Sequence, residues 1–276
     1  MTELEGIFSA LWADYAAFNP RAKKIYDLIF AREKKNNPLL ERLSNDHIAL
    51  RTYNRSPIGL KQISSLFEKY GYEKKGDYVF EDKKLFAWHL EHADKNLPKI
   101  FISELECEKL SSFVLETAIQ VTKAVDSKKA AHESLLWSGR PWPAEHSVYQ
   151  KLLKESEYAA WLYAFGFRAN HFTISVNDLQ TFSGLTELNE FIVANGFELN
   201  SAGGIIKGTP QLFLEQSSTM AEKAQVIFDD GQFQIPSCYY EFALRHKLPS
   251  GKLYQGFVTA SADKIFESTD VISQKR

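Results

Sequence analysis

The sequence carries one pattern twice, and that duplication limits its fold more than any other feature. Each copy opens with a strand-like segment headed by a histidine: His47-Ile48-Ala49-Leu50-Arg51, then His171-Phe172-Thr173-Ile174-Ser175-Val176. A stretch of helical period follows, with Leu60, Ile63, Leu66 and Phe67 in the first copy and residues 185–194 in the second. Each then reaches a glycine, an aromatic and a glutamate, Gly71-Tyr72-Glu73 and Gly196-Phe197-Glu198. His47 and Gly71 are 24 positions apart (71 − 47), His171 and Gly196 25 (196 − 171). Several strand-like segments complete each copy, at 78–80, 85–90 and 99–105, then at 211–215, 232–235 and 239–244. The last strand of each holds a glutamate, Glu104 or Glu241, and the two read as repeat mates. The order is strand, helix and several strands, twice: an α+β chain built from two βαβββ units, 45–106 and 168–246.

The remaining segments read as helical. Residues 1–43 divide at Asn19-Pro20, a cap followed by proline at the first helical position. Ser56-Pro57 reads as a second such start. Residues 107–167 form a helical insertion, broken at Gly139-Arg140-Pro141-Trp142-Pro143, which suits either a lid or a helix–helix connection.

Strand alternation decides which side chains share a face. His47, Ala49 and Arg51 lie on one face of the first strand, and His171, Thr173 and Ser175 on one face of its counterpart. On the closing strand Tyr239, Glu241, Ala243 and Arg245 alternate with Tyr240, Phe242 and Leu244. One histidine from each unit plus one glutamate is the two-histidine, one-carboxylate set that leaves open positions on Fe(II). Zn, Ni or Mn fits the same donors, and the site, drawing on both units, makes residues 1–276 a single functional domain. The alternatives are ordinary ones. A strand histidine can serve as a hydrogen-bonded core residue, and Glu241 can pair with Arg245, four residues on along the same face. Arg51 can hold a substrate carboxylate or pair with a nearby acid. Glu104, among Glu106 and Glu108, reads as a strand end in solvent; His89 and His92 read as surface histidines, and His132, His146 and His246 lack comparable partners.

Composition excludes other classes. Thirty-three Lys+Arg against 35 Asp+Glu give a net charge of −2, so no basic field draws in nucleic acid or an anionic membrane. Cys107 and Cys238 are too few for a disulfide framework and suit a reducing cytoplasm. No apolar run approaches ~20 residues, and the first residues are acidic where a secretory leader is basic. Aromatics are plentiful, with Phe 20 and Tyr 12, which points to a large core or an aromatic pocket.

At Asn45-Asp46-His47-Ile48-Ala49-Leu50-Arg51, Asn170-His171-Phe172-Thr173 and Tyr239-Tyr240-Glu241-Phe242 the sequence resembles the 2-oxoadipate dioxygenase/decarboxylases, or hydroxyglutarate synthases. The likeness runs from about residue 5 to residue 265. That family is similar in fold to the vicinal-oxygen-chelate (glyoxalase) proteins, which implies a cupped mixed sheet around one metal, with added N-terminal and central helices. The resemblance further implies that His47, His171 and Glu241 hold Fe(II) and that Arg51 binds a carboxylate of the substrate. The implied reaction joins O2 to a 2-oxo acid, releases CO2 and leaves a 2-hydroxy acid one carbon shorter. A glyoxalase-like lyase, isomerase or hydrolase is the alternative.

Overall fold

The computed structural model describes residues 2–269, so residue 1 and residues 270–276, the two ends of the expected domain, lie outside the described residues. Two helices come first, α1 (Glu3–Phe18) and α2 (Pro20–Asn36). Thr2 and Glu5 satisfy each other's backbone N–H groups in a capping box at the head of α1. The Asn19 side chain accepts from the Ala22 N–H at the head of α2, and Pro20 sits where its missing donor costs nothing.

The first unit folds as β1 (Asn45–Tyr53), α3 (Leu60–Glu68), β2 (Glu73–Phe80), β3 (Leu85–Glu91) and β4 (Lys99–Leu105). Between the units lie α4 (Ser112–Lys123), α5 (Ser127–Ala130), α6 (His146–Leu153) and α7 (Glu157–Phe165). The second unit runs β5 (Ala169–Ser175), α8 (Leu185–Ala194), β6 (Lys207–Thr209), β7 (Leu214–Ser218), a hairpin of β8 (Lys223–Phe228) and β9 (Gly231–Pro236), then β10 (Tyr239–Arg245). Helix α9 (Thr259–Phe266) follows.

Eight strands form one mixed sheet in the order β2-β3-β4-β1-β5-β10-β7-β6. The units meet at β1 and β5, which run antiparallel. Within each unit the first and last strands are parallel, β1 with β4 and β5 with β10, and the remaining pairs are antiparallel. The halves are thus related by an approximate two-fold axis between β1 and β5. The β8–β9 hairpin stands outside the large sheet and accounts for the extra length of the second unit. Helix α9 packs against β2 at one edge and against β6 and β7 at the other, so the sheet is cupped beneath it.

Register corrects the expected repeat mates. His47 pairs with Lys99 and His171 with Tyr239, which places Phe101, two residues on, at the position of Glu241. Glu104 falls opposite Thr52, the counterpart of Leu244. Its carboxylate instead accepts from the Leu60 N–H at 2.8 Å. That bond caps α3, which begins at Leu60 and not at Ser56-Pro57. The expected strand at 211–215 is likewise displaced: Pro210–Leu212 form a single 3-10 turn and β7 starts at Leu214.

Alternation gives the two faces of the central strands different work. Phe172, Tyr240 and Phe242 point to the back, where Trp12 and Tyr15 of α1 cover Phe172 and Tyr240. Trp12 meets Phe172 edge-on at 5.1 Å and lies 5.9 Å from Tyr240. Contacts of this kind contribute about 0.5–1.5 kcal/mol each beyond the area they bury. The opposite face, carrying the polar side chains, lines the cup.

Candidate metal centre

His47, Thr173 and Glu241 stand side by side on β1, β5 and β10, and His171 lies one pleat along, between Ala49 and Tyr239. All three potential ligands, His47, His171 and Glu241, are buried, with donor atoms within 4.8 Å of one another. The Nε2 atoms of His47 and His171 are 3.4 Å apart. Glu241 places Oε1 3.5 Å from the first and Oε2 3.3 Å from the second. Donors each about 2.1 Å from a common ion lie roughly 3–3.4 Å from one another, so the triad has the spacing of a three-point metal site.

What orients the rings lies one residue upstream in each unit. The Asp46 carboxylate is 2.8 Å from His47 Nδ1, and Asn170 Oδ1 is 3.0 Å from His171 Nδ1. An acceptor on Nδ1 fixes the proton there and turns the Nε2 lone pair toward the centre. Two lone pairs and a carboxylate then face one another in a buried space, an arrangement that repels itself unless a cation joins it. The donor set therefore fits a divalent ion. Gln216 holds the third ligand, donating to Glu241 Oε1 at 2.5 Å, and the Thr173 hydroxyl is 3.1 Å from His47 Nε2.

The electrostatics agree. Burial, reinforced by His47 and Arg51, pushes His171 well below the usual histidine value, which keeps it neutral and able to ligate. Burial also raises Glu241, as it does for a carboxylate without a cationic partner. Asp46 goes the other way. Burial opposes its charge, yet Arg245 and the His47 ring hold it well below the usual range. Arg245 binds both Asp46 oxygens, at 2.6 and 2.9 Å, so the alternative pairing of Arg245 with Glu241 is not the one formed. The same guanidinium donates to the Tyr254 and Gly256 carbonyls, securing a loop whose Phe257 ring meets His47 edge-on at 4.9 Å.

Arg51 is buried, with its guanidinium 4.8 Å from the Tyr158 ring and 5.0 Å from Trp161. It donates Nη1 to Glu157 at 3.1 Å, while Nε and Nη2 have no partner among the described residues. These two atoms form one edge of the guanidinium, the edge that a carboxylate meets with both oxygens. Of the two sequence readings of Arg51, the pairing with a nearby acid is formed, to Glu157, and it leaves one guanidinium edge open.

Other candidates settle into structural roles. His89 is buried, against the expectation of a surface residue, because β3 is covered by the Phe257 loop; its ring lies 2.8 Å from the Tyr78 hydroxyl and 3.2 Å from Glu91. Residues 139–143 are a connection, with Gly139 bridged to Phe167 and Arg140 donating to the Ala164 and Ile227 carbonyls. A Cβ at Gly166 would lie 2.2 Å from the Gly139 carbonyl, which explains the glycine there.

The void beside the triad is only about 20 Å³, bounded by Phe101, Phe257 and, from α9, Ala262, Ile265 and Phe266. It has room for an ion or a water and not for an organic acid. A larger open cavity, about 740 Å³ near Arg21 and Lys223, includes none of the triad. The three residues singled out from the sequence come together in the fold, whereas their hydrogen-bonding supports, Asp46, Asn170 and Gln216, went unnoticed as such. The signal available for two of them was an Asx residue directly before each repeated histidine.

Comparison with known proteins places this geometry. The family model described as 2-oxoadipate dioxygenase/decarboxylase matches residues 7–135 and 116–253. A rice protein named 2-oxoadipate dioxygenase/decarboxylase, chloroplastic/amyloplastic, is 35% identical over 281 residues, covering 92% of this chain and 75% of the relative. Among solved structures, rice hydroxyglutarate synthase in complex with 2-oxoadipate superposes with a TM-score of 0.90 at 33% identity, over 99% of this chain and 94% of that one. A Shewanella frigidimarina protein described as a hydrolase is 45% identical with a TM-score of 0.88, over 94% and 99% of the two chains. A glyoxalase-superfamily protein from Ralstonia eutropha shares the fold alone, with a TM-score of 0.67 at 19% identity over 90% of this chain and 85% of that one.

Proposed function

The chain belongs to the 2-oxoadipate dioxygenase/decarboxylase family, and from that membership we propose that it is an Fe(II)-dependent enzyme acting on a 2-oxo diacid and O2. With 2-oxoadipate as substrate the products are 2-hydroxyglutarate and CO2, which together contain every atom of the acid and of O2. The observation that carries this reading is a buried His47–His171–Glu241 face that shares its cup with a guanidinium edge left open on Arg51.

His47, His171 and Glu241 would hold the iron, which would supply the Lewis acidity and redox capacity for joining O2 to a 2-oxo acid. The protein's residues do the rest. Asp46 and Asn170 keep both imidazoles in the ligating tautomer. Gln216 holds the Glu241 carboxylate in place. Arg51 takes the carboxylate at the far end of the acid and so fixes which end reaches the triad. Phe101, Phe257 and Phe266 exclude water. Entry of the acid requires α9 to yield, since Ile265 and Phe266 occupy the space beside the ligands.

The Shewanella relative's description as a hydrolase favours one second reading, a glyoxalase-like lyase, isomerase or hydrolase using Zn, Ni or Mn. Anaerobic loading with Fe(II), addition of 2-oxoadipate and then admission of O2 separates the two. Oxygen uptake matched by CO2 release is expected. No uptake with any short 2-oxo diacid sinks the dioxygenase, and oxygen-independent turnover with Zn, Ni or Mn installs the second reading. We place the protein in the cytoplasm; its two buried, unpaired cysteines suit a reducing compartment.

A further inference from the structure

Tyr239 is fully buried on β10. Its partner across the parallel ladder is His171, and the two rings stack at 4.6 Å with 26° between their planes. Its main-chain carbonyl accepts from the Tyr15 hydroxyl, yet its own hydroxyl has no partner among the described residues. A phenol removed from water and left unpaired destabilises the fold, so a buried orphan of this kind calls for an explanation. A second orphan accompanies it, the open Nε/Nη2 edge of Arg51. Ala49, His171 and Tyr239 pair in a row across β1, β5 and β10, and Arg51 follows two residues on from Ala49 along the same face, its guanidinium 5.8 Å from the Phe266 ring that bounds the void beside the triad. One hydroxyl donor and one bidentate cationic edge, both buried and both unanswered, together match a carboxylate.

We propose that Tyr239 is a substrate-positioning residue, its hydroxyl donating to the same distal carboxylate that Arg51 receives. This rests on the 2-oxo diacid reading above and extends it to a specific selectivity for diacids over monoacids. The neighbouring Tyr240 supplies an internal control. It is equally buried, its hydroxyl is equally unpartnered, and it points to the other face of β10, among Trp12 and Phe242. An orphaned phenol there has no route to the cup.

The test compares Tyr239→Phe with Tyr240→Phe in the metal-loaded protein, first by anaerobic calorimetric binding of 2-oxoadipate, then by turnover. Loss of a hydrogen bond to a charged group predicts that Tyr239→Phe weakens 2-oxoadipate binding and kcat/KM roughly tenfold to a hundredfold. Values for 2-oxohexanoate, which has the same chain length and no distal carboxylate, stay as in the wild type, as do metal content and melting temperature. Tyr240→Phe changes none of these. Equal 2-oxoadipate binding by Tyr239→Phe and wild type overturns the proposal, as does an equal loss toward the monoacid, which marks a purely structural role. Binding without oxygen-dependent turnover in the wild type defeats the dioxygenase reading and leaves the Tyr239 assignment to stand on the binding ratio. Failure of the wild type to bind 2-oxoadipate defeats both.

Discussion

The two repeat units share strand order, helix placement and a histidine at the same position, yet they contribute unequally to the site. The second unit supplies His171 and Glu241. The first supplies His47 and, where symmetry would put another carboxylate, Phe101. It also carries Arg51 at the position of Ser175. Two identical units would surround an ion with two imidazoles and two carboxylates. Replacing one carboxylate by a phenyl ring leaves a coordination direction open and an apolar wall beside it. The lesson is that a duplicated fold can build an asymmetric site by changing one residue at equivalent positions, here Phe101 against Glu241.

The largest expected effect comes from breaking the richer half. Glu241→Ala removes the carboxylate of the proposed donor set and should lower turnover by at least about 10³-fold, with metal lost on dialysis as read by elemental analysis. Phe101→Glu restores the symmetric set instead. It should retain the ion through the same dialysis while losing roughly a hundredfold in oxygen uptake, because the added carboxylate fills the open direction. Retained activity in that variant would show that Phe101 does not face the open position.

Next come the residues that orient the imidazoles. Asp46→Asn strands the buried Arg245 and should destabilise the protein by about 3–5 kcal/mol in denaturant unfolding. It should also weaken metal affinity by about 10- to 100-fold. Asn170→Ala, with no buried cation behind it, should show the affinity loss with a clearly smaller stability loss. Equal stability losses would mean that Arg245 is not what distinguishes the two.

Acid should also act on the first unit through Glu91. Hydrogen bonding by His89, with burial opposing it and Lys95 assisting, lowers Glu91 to about 2 from an ordinary 4.5. A depressed carboxylate gives its full stabilisation above its unfolded value and loses it as pH falls through its folded one. Stability should therefore drop between about pH 4.5 and 2, and Glu91→Gln should flatten that limb of the unfolding curve. The second unit has Ser218 where the first has His89, and so no counterpart. The smallest effect belongs to Glu104. As a cap on α3 and not a ligand, Glu104→Gln should cost about 1 kcal/mol or less and leave metal content and kinetics unchanged.

Much of this was legible in the sequence because alternation and repeat spacing are local signals. The strands carrying His47, His171 and Glu241 fall where residue periodicity puts them, and the shared faces follow from the pleat. What was not legible depends on register. A glutamate on the last strand of each unit suggested pairing Glu104 with Glu241, and with the β8–β9 hairpin inserted in one unit only, distance from the glycines offered no check on it. Only the ladders show Phe101 in that place. His89 was misjudged for a related reason: its burial comes from a loop near Phe257, far along the chain, which no window around β3 contains.

The ligand spacing has a consequence for how the protein comes to be made. His47 and His171 are 124 positions apart, and Glu241 follows 70 later (241 − 171). A ribosome-bound chain whose first unit has already folded offers the site one imidazole and no carboxylate. The full donor set exists only once β10 has emerged and paired with β5. An ion held by all three would thus be captured at the last stage of folding and would tie together segments drawn from most of the chain's length, since chains that end before β10 offer at most the two imidazoles.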